Sequence, residues 1–227
     1  MVEYLKLMKN YLSTYYELRN KPLTNYQEHF ADYNISRFGL NDKKLLEVGC
    51  GRGDIINKFA EKKIKCYATD ILIDSAKHLK KEVKFTQNNI EKEKLPYEDN
   101  FFDAIYTKSL LEHIGNNDLF FKECKRVLKK EGKLIIYIPD WETQYLNFYD
   151  DITHIKPFTE QTLDSCFKLY DFKNYKIEKF YQLPSVWKYP FLKYFAKILA
   201  FFIPVRCKIK YLRFSKELML LGVAIND

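Results

Sequence analysis

The chain has 227 residues and carries 38 basic against 30 acidic side chains, a formal net charge of +8, with aromatic residues at 17%. A chain of that length is long enough to bury one sizeable α/β core with insertions. Its five cysteines (Cys50, Cys66, Cys124, Cys166 and Cys207) are odd in number and never spaced C-x-x-C, which gives no thiolate metal spacing and suits a reducing, cytoplasmic setting.

In chain order, Met1 to Asn10 has no continuous apolar run, so it does not read as a signal peptide. Leu5, Met8, Tyr11, Leu12, Tyr15, Tyr16 and Leu18 recur at three-to-four spacing and predict a helix broken at Pro22. A second helical stretch follows through Tyr26, Phe30 and Tyr33, and residues 1–40 form an N-terminal helical cap. The domain proper, 41–227, then alternates: strand 44–49, helix 54–62 capped by Asp54, strand 64–70, helix 74–81 and a short strand at 83–86. Strand 102–107, helix 116–129 and strand 133–138 come next, and a last strand occupies 218–225. Such alternation requires a mostly parallel, doubly wound sheet with ligands at the carboxyl ends of its strands. Two insertions interrupt it, at 139–158 and at 184–214, the second a helical one before the last strand.

The most informative stretch is Gly49-Cys50-Gly51-Arg52-Gly53, entered from the apolar strand Leu45-Leu46-Glu47-Val48. Glycine tolerates φ > 0 and lets backbone approach a ligand, so three glycines at alternate positions describe a loop lying under a bound molecule. The next strand ends in Asp70. An acid about 20 residues beyond such a loop grips the ribose hydroxyls of a nucleoside cofactor. Asp54 stands where a dinucleotide fingerprint requires its third glycine, and a carboxylate there would face a pyrophosphate, which disfavours NAD and FAD.

With Glu47 before the loop and Asp70 after it, the chain resembles the class I S-adenosylmethionine-dependent methyltransferases, whose first motif is E-x-G-x-G-x-G. The resemblance covers roughly 40–138 closely and 159–226 by architecture. It implies a Rossmann-like, seven-stranded sheet whose final strand runs antiparallel to the others. It also implies that Glu47, Gly49, Cys50, Gly51, Asp70, Ile71, Asn89, Ile90, Lys108 and Ser109 hold the cofactor, S-adenosyl-L-methionine. Asn89 departs from the family, which usually has an acid there; its carbonyl can still accept from an adenine amino group. Asp103, in the segment leading into strand 102–107, is expected to be structural. Neither the N/D-P-P-Y/F run of base amino-group methylases nor the Pro-Cys nucleophile of cytosine C5 methylases is present.

Two histidines and one acid bear on the acceptor. His113, at the strand-4 exit, is a candidate general base, with helix packing as the alternative. Asp150-Asp151-Ile152-Thr153-His154-Ile155-Lys156-Pro157-Phe158-Thr159 resembles a D-x-T-H-x-x-P-F-T stretch of sugar-modifying and surface-polysaccharide methyltransferases, and Asp151 with His154 is expected to form an oriented acid–base pair. No third ligand has a telling spacing, so no metal site is expected. His29 reads as surface or packing, as does His78.

The charge is concentrated in one segment. Lys188, Lys193, Lys197, Arg206, Lys208, Lys210, Arg213 and Lys216 are interrupted by no acid, and removing those eight leaves 30 basic residues, equal to the 30 acidic ones. Within it, 190–204 is apolar except for Lys193 and Lys197, too short to span a bilayer but suited to a helix lying in a membrane interface. Core packing or a dimer face would look similar. The expected activity is O-methylation of a hydroxyl on a glycan or glycolipid precursor, by a cytoplasmic enzyme that contacts the membrane through 190–213. A second reading is RNA methylation, with Tyr181, Trp187, Tyr189 and Tyr211 stacking bases over the basic patch. A third is a non-catalytic cofactor-binding subunit that activates a partner.

Overall fold

A computed structural model describes residues 24–227, and the helix expected over Leu5 to Leu18 lies outside the described residues. Seven strands form one sheet: β1 (Lys44–Val48), β2 (Lys65–Asp70), β3 (Lys84–Gln87), β4 (Phe102–Lys108), β5 (Leu128–Pro139), β6 (Asn174–Phe180) and β7 (Met219–Ile225). Their spatial order is β3-β2-β1-β4-β5-β7-β6. β1 through β5 pair in parallel, and β7 inserts antiparallel between β5 and β6, so the final strand alone runs against the rest. The fold is therefore the expected seven-stranded, Rossmann-like doubly wound sheet. Its order reverses between β1 and β4, where a crevice opens at the carboxyl edge.

Alternate residues of each central strand serve opposite faces, which is why those strands read as continuous apolar runs. On one face Leu46, Ile105 and Ile136 pack with α3 (Asp118–Val127) and α4 (Glu160–Leu169). On the other, Leu45, Ala104 and Ile135 pack with α1 (Asn25–Phe38) and α2 (Ile56–Glu61). Thr24 and Gln27 form a capping box at the head of α1, and Gly39 ends it in the left-handed conformation. Phe30, Ala31 and Phe38 of α1 are buried in the main core, and Tyr137 donates to Asn34 across it at 3.0 Å.

Several local expectations shift. The segment expected as helix 74–81 is a tighter 3₁₀ turn, Ile73–His78. Asp54 does not cap α2, because the Arg52 guanidinium holds both its carboxylate oxygens, at 2.7 and 2.8 Å. The Ile56 amide at the head of α2 is satisfied instead by the Glu47 carboxylate, arriving from β1. β5 begins five residues earlier than expected, at Leu128. Asp103 is structural, as expected: it accepts from the Lys44 amide and the Lys129 ammonium, each at 2.8 Å. Among the described residues no helix is long and apolar enough to cross a membrane.

Candidate active site

The carboxyl edge of the sheet carries four converging pieces. The first is the glycine loop after β1. Gly49 sits at φ +75°, and a Cβ there would lie 2.7 Å from Leu110, so the loop closes against the strand-4 exit only with glycine. Gly53, at φ +72°, has Leu79 in the corresponding place at 2.2 Å. The amides of Gly49 and Cys50 donate to the Thr69 carbonyl, which anchors the loop to β2.

The second piece is Asp70, at the end of β2. Its carboxylate accepts from the Gly51 amide at 2.8 Å and the Leu72 amide at 2.9 Å. The group that orders the loop therefore sits buried at the carboxyl edge, beneath the crevice. Burial raises its pKa despite these bonds. Glu47 is buried close by, and burial with Asp54 and Asp70 nearby pushes it well above the usual carboxylate range. Its Oε2 is buried with no hydrogen-bond partner. Glu47 and Asp70 thus line this edge as buried carboxyl groups, one of them with an unpartnered oxygen.

The third piece is the exit of β4. Ser109 is held at φ +55°, uncommon outside glycine, with its amide donating to the Tyr137 carbonyl. Burial lowers the Lys108 ammonium, while Glu112 four residues on pulls it back upward. Asn89 and Ile90 follow β3 at the same edge; the Asn89 side-chain oxygen accepts from the Glu91 amide, in the turn chemistry of its type.

The fourth piece is the loop 140–158, and here the structure adds what the sequence did not show. His113 donates from Nδ1 to Thr153, whose carbonyl and hydroxyl oxygens lie 3.1 and 3.0 Å away. The Thr153 hydroxyl in turn donates to Asp151 at 2.6 Å. Asp151 thus orients His113 through Thr153, rather than being dedicated to His154 as expected. His154 places Nδ1 2.7 Å from the Phe148 carbonyl, which can only accept, so Nδ1 carries a proton and Nε2 is the basic nitrogen of the neutral ring. The two imidazole rings meet with centroids 4.8 Å apart. The residue that sequence reasoning missed is Glu112. It is fully buried, neither carboxylate oxygen has a hydrogen-bond partner, and Oε1 lies 4.0 Å from Nε2 of His113. Glu112, His113 and His154 each offer one ligand atom, all within 4.8 Å of one another, the third ligand that spacing alone did not reveal.

Burial holds the His113 imidazolium down to about 4, with the neighbouring His154 adding to the effect. An unfolded histidine titrates near ~6.5. Between those values the unfolded chain takes up a proton that the native state refuses, so stability falls as pH drops from about 6.5 toward 4. The loss is about 3 kcal/mol. Thermal melts through that range should show it, and His113→Asn, whose amide can keep the Thr153 bond, should flatten the decline. An unchanged acid limb in that variant would assign it to other groups. Glu112 acts oppositely: burial raises it to about 8, so its contribution, present at low pH, is lost as pH rises through that value.

Comparison with known proteins decides the family. The description "Methyltransferase domain" matches residues 46–136, from β1 to β5. An uncharacterized Methanocaldococcus jannaschii protein is 30% identical over 169 residues, covering 74% of this chain and 72% of that one. The chain belongs to the class I S-adenosylmethionine-dependent methyltransferases. Its cofactor is S-adenosylmethionine. A ubiquinone biosynthesis O-methyltransferase of Pelagibacter ubique is 29% identical over 105 residues, and the methyltransferase covers 42% of that protein's length with 43% of its own. A Thermotoga maritima S-adenosylmethionine-dependent methyltransferase, described as a possible histamine N-methyltransferase, superposes with a TM-score of 0.64 at 15% identity, covering 96% of this chain and 99% of that one. That likeness concerns the fold.

The remaining candidates fall elsewhere. His29 lines a cleft of about 420 Å³ with Thr24, Tyr26, Pro184 and Tyr211, between the start of α1 and the second insertion. The His78 carbonyl accepts from Asn57 at 2.9 Å. Trp187, expected as a base-stacking ring, is committed to the core: it stacks on Phe180 at 5.4 Å and donates to the Tyr181 carbonyl at 2.6 Å.

Proposed function

We propose that this methyltransferase methylates a hydroxyl oxygen of a glycan or glycolipid precursor at the cytoplasmic side of a membrane. The observation that carries the reading is the Asp151–Thr153–His113 relay meeting His154 beside the strand-4 exit. S-adenosylmethionine, when bound, supplies an already activated methyl on its sulfonium, so the protein's task is alignment, exclusion of water and proton removal. Glu47, Gly49, Gly51 and Asp70 would hold the cofactor, with Lys108 and Ser109 beside its methionine half. His154, with Nδ1 held by the Phe148 carbonyl, would accept the acceptor's hydroxyl proton at Nε2. His113 and Asp151 keep the rings oriented.

The D-x-T-H-x-x-P-F-T run supports a sugar hydroxyl, and the O-methyltransferase among the relatives supports oxygen as the acceptor atom. RNA is the weaker reading, because Trp187 is partly buried and packed against Phe180 and Tyr33, leaving Tyr189 and Tyr211 as the exposed rings of that set. The test supplies S-adenosylmethionine carrying a labelled methyl to the purified protein, with lipid-linked oligosaccharide, RNA and protein fractions offered in parallel. Label is expected in the first fraction and released by cleavage of an ether. Label in RNA, or none in any fraction with the cofactor bound, would overturn the reading.

A further inference from the structure

The second insertion leaves β6 and returns into β7 at the carboxyl edge, the edge that carries the active site. Its longest element is α5, Leu192–Phe202, eleven residues or roughly 16 Å long. A helix on a globular surface normally turns its apolar stripe inward. Here the reverse holds: Ala196 is the single buried residue of α5, while Phe195, Phe201 and Phe202 are 64%, 82% and 79% exposed. Tyr194 and Ile198 are exposed as well. Apolar side chains exposed singly are ordinary, but a whole helix of them marks a surface that something else covers.

The charge around the helix identifies the cover. Lys193 and Lys197 stand exposed on α5, and Lys208 is exposed in the tail that follows. No acid occurs between Lys188 and Lys216. A second patch extends the surface: Leu146, Tyr149 and Ile152 of the acceptor loop are exposed, Ile152 at 80%. The Arg206 guanidinium clamps that loop to the insertion, bonding both oxygens of Asp150 at 2.8 Å and reaching the Leu146 carbonyl. The aromatic helix and the loop that holds Asp151 and His154 therefore belong to one face. An apolar protein partner would complement the phenylalanines but not the lysines set among them with no acid between. An anionic bilayer complements both, since acyl chains take the rings and phosphates the ammonium groups.

We propose that residues 190–204 and the basic tail to Lys216 dock this methyltransferase on an anionic lipid surface, with the acceptor loop turned toward the lipid. The inference deepens the reading of the acceptor as lipid-linked and rests on it only for the identity of the substrate. Docking itself is tested without any methyl transfer. The full chain is mixed with vesicles of phosphatidylcholine alone or of phosphatidylcholine with phosphatidylglycerol, then sedimented. Most of the protein should pellet with the anionic vesicles at low salt and little with the neutral ones. Phe195→Ser with Phe202→Ser should return it to the supernatant; both sites are exposed, so an unchanged melting curve is expected. Lys193→Gln with Lys197→Gln should shift binding to lower salt, because screening acts on the lysines and not on the rings. Absence of vesicle binding at every salt overturns the proposal. So does a concentration-dependent dimer that the phenylalanine variants dissociate in the absence of lipid, which would make the face a contact between two copies. Vesicle binding without methylation of any lipid-linked glycan would leave docking standing and remove the proposed acceptor instead.

Discussion

Asp70→Ala is expected to weaken S-adenosylhomocysteine binding by about 1–3 kcal/mol, roughly 5- to 150-fold, in titration calorimetry. The carboxylate has two jobs. It ties the glycine loop to the next segment through the Gly51 and Leu72 amides, and in the proposed site it would present charged acceptors for ribose hydroxyls. Alanine removes both and leaves two N–H groups without their acceptor, so the melting temperature should also fall. Asp70→Asn separates these effects. Its amide oxygen can still take one backbone N–H, so more of the fold's stability should survive while the charged contacts to ribose are lost. Calorimetry that finds full affinity in Asp70→Ala, or NAD binding in place of S-adenosylhomocysteine, would falsify the assignment of this edge to the cofactor.

His154→Ala should lower kcat by ~10²–10⁴ with cofactor affinity unchanged, because proton removal matters in the transition state and not in cofactor binding. His113→Ala should cost less, since His113 acts by packing against the His154 ring and by joining it to Thr153 and Asp151. If the order of the two effects is reversed, the base is His113. A chelator provides a separate readout of the same cluster. A histidine base is expected to be insensitive to it. Loss of turnover that a divalent cation restores would give Glu112, His113 and His154 to a metal, for which their ligand atoms are already within 4.8 Å. Full turnover in both single variants would remove histidine base catalysis altogether.

The glycine-loop half of the candidate site was legible in the sequence as backbone geometry, because its parts are close in the chain or set by short-range rules. Three glycines between a strand and a helix encode a loop with positive φ, found at Gly49, Gly51 and Gly53. Alternation of apolar runs encodes the parallel sheet, and Asp70 lies where β2 must end. Spacing misled where several side chains compete for the same backbone group. Asp54 had the position of a helix cap, but Arg52 took its carboxylate and Glu47, from the preceding strand, took the amide at the head of α2.

The acceptor half was legible only as isolated residues. His113 and Thr153 are 40 positions apart in the chain, and nothing in either neighbourhood encodes their bond. The sheet order brings the β4 exit beside the loop after β5, since those strands are parallel neighbours ending at the same edge. That convergence redirected Asp151 toward His113, buried Glu112 among the histidines and showed a ligand set that one-dimensional spacing cannot display. The same division holds for 190–204. The sequence by itself determined that this segment is apolar, basic and too short to cross a bilayer. Whether its rings would be buried as core or left on the surface depended on what the sheet edge could cover. Tertiary structure decided it, because residues 190–204 bury Ala196 and Ile203 while Phe191, Tyr194, Phe195, Phe201 and Phe202 are left exposed.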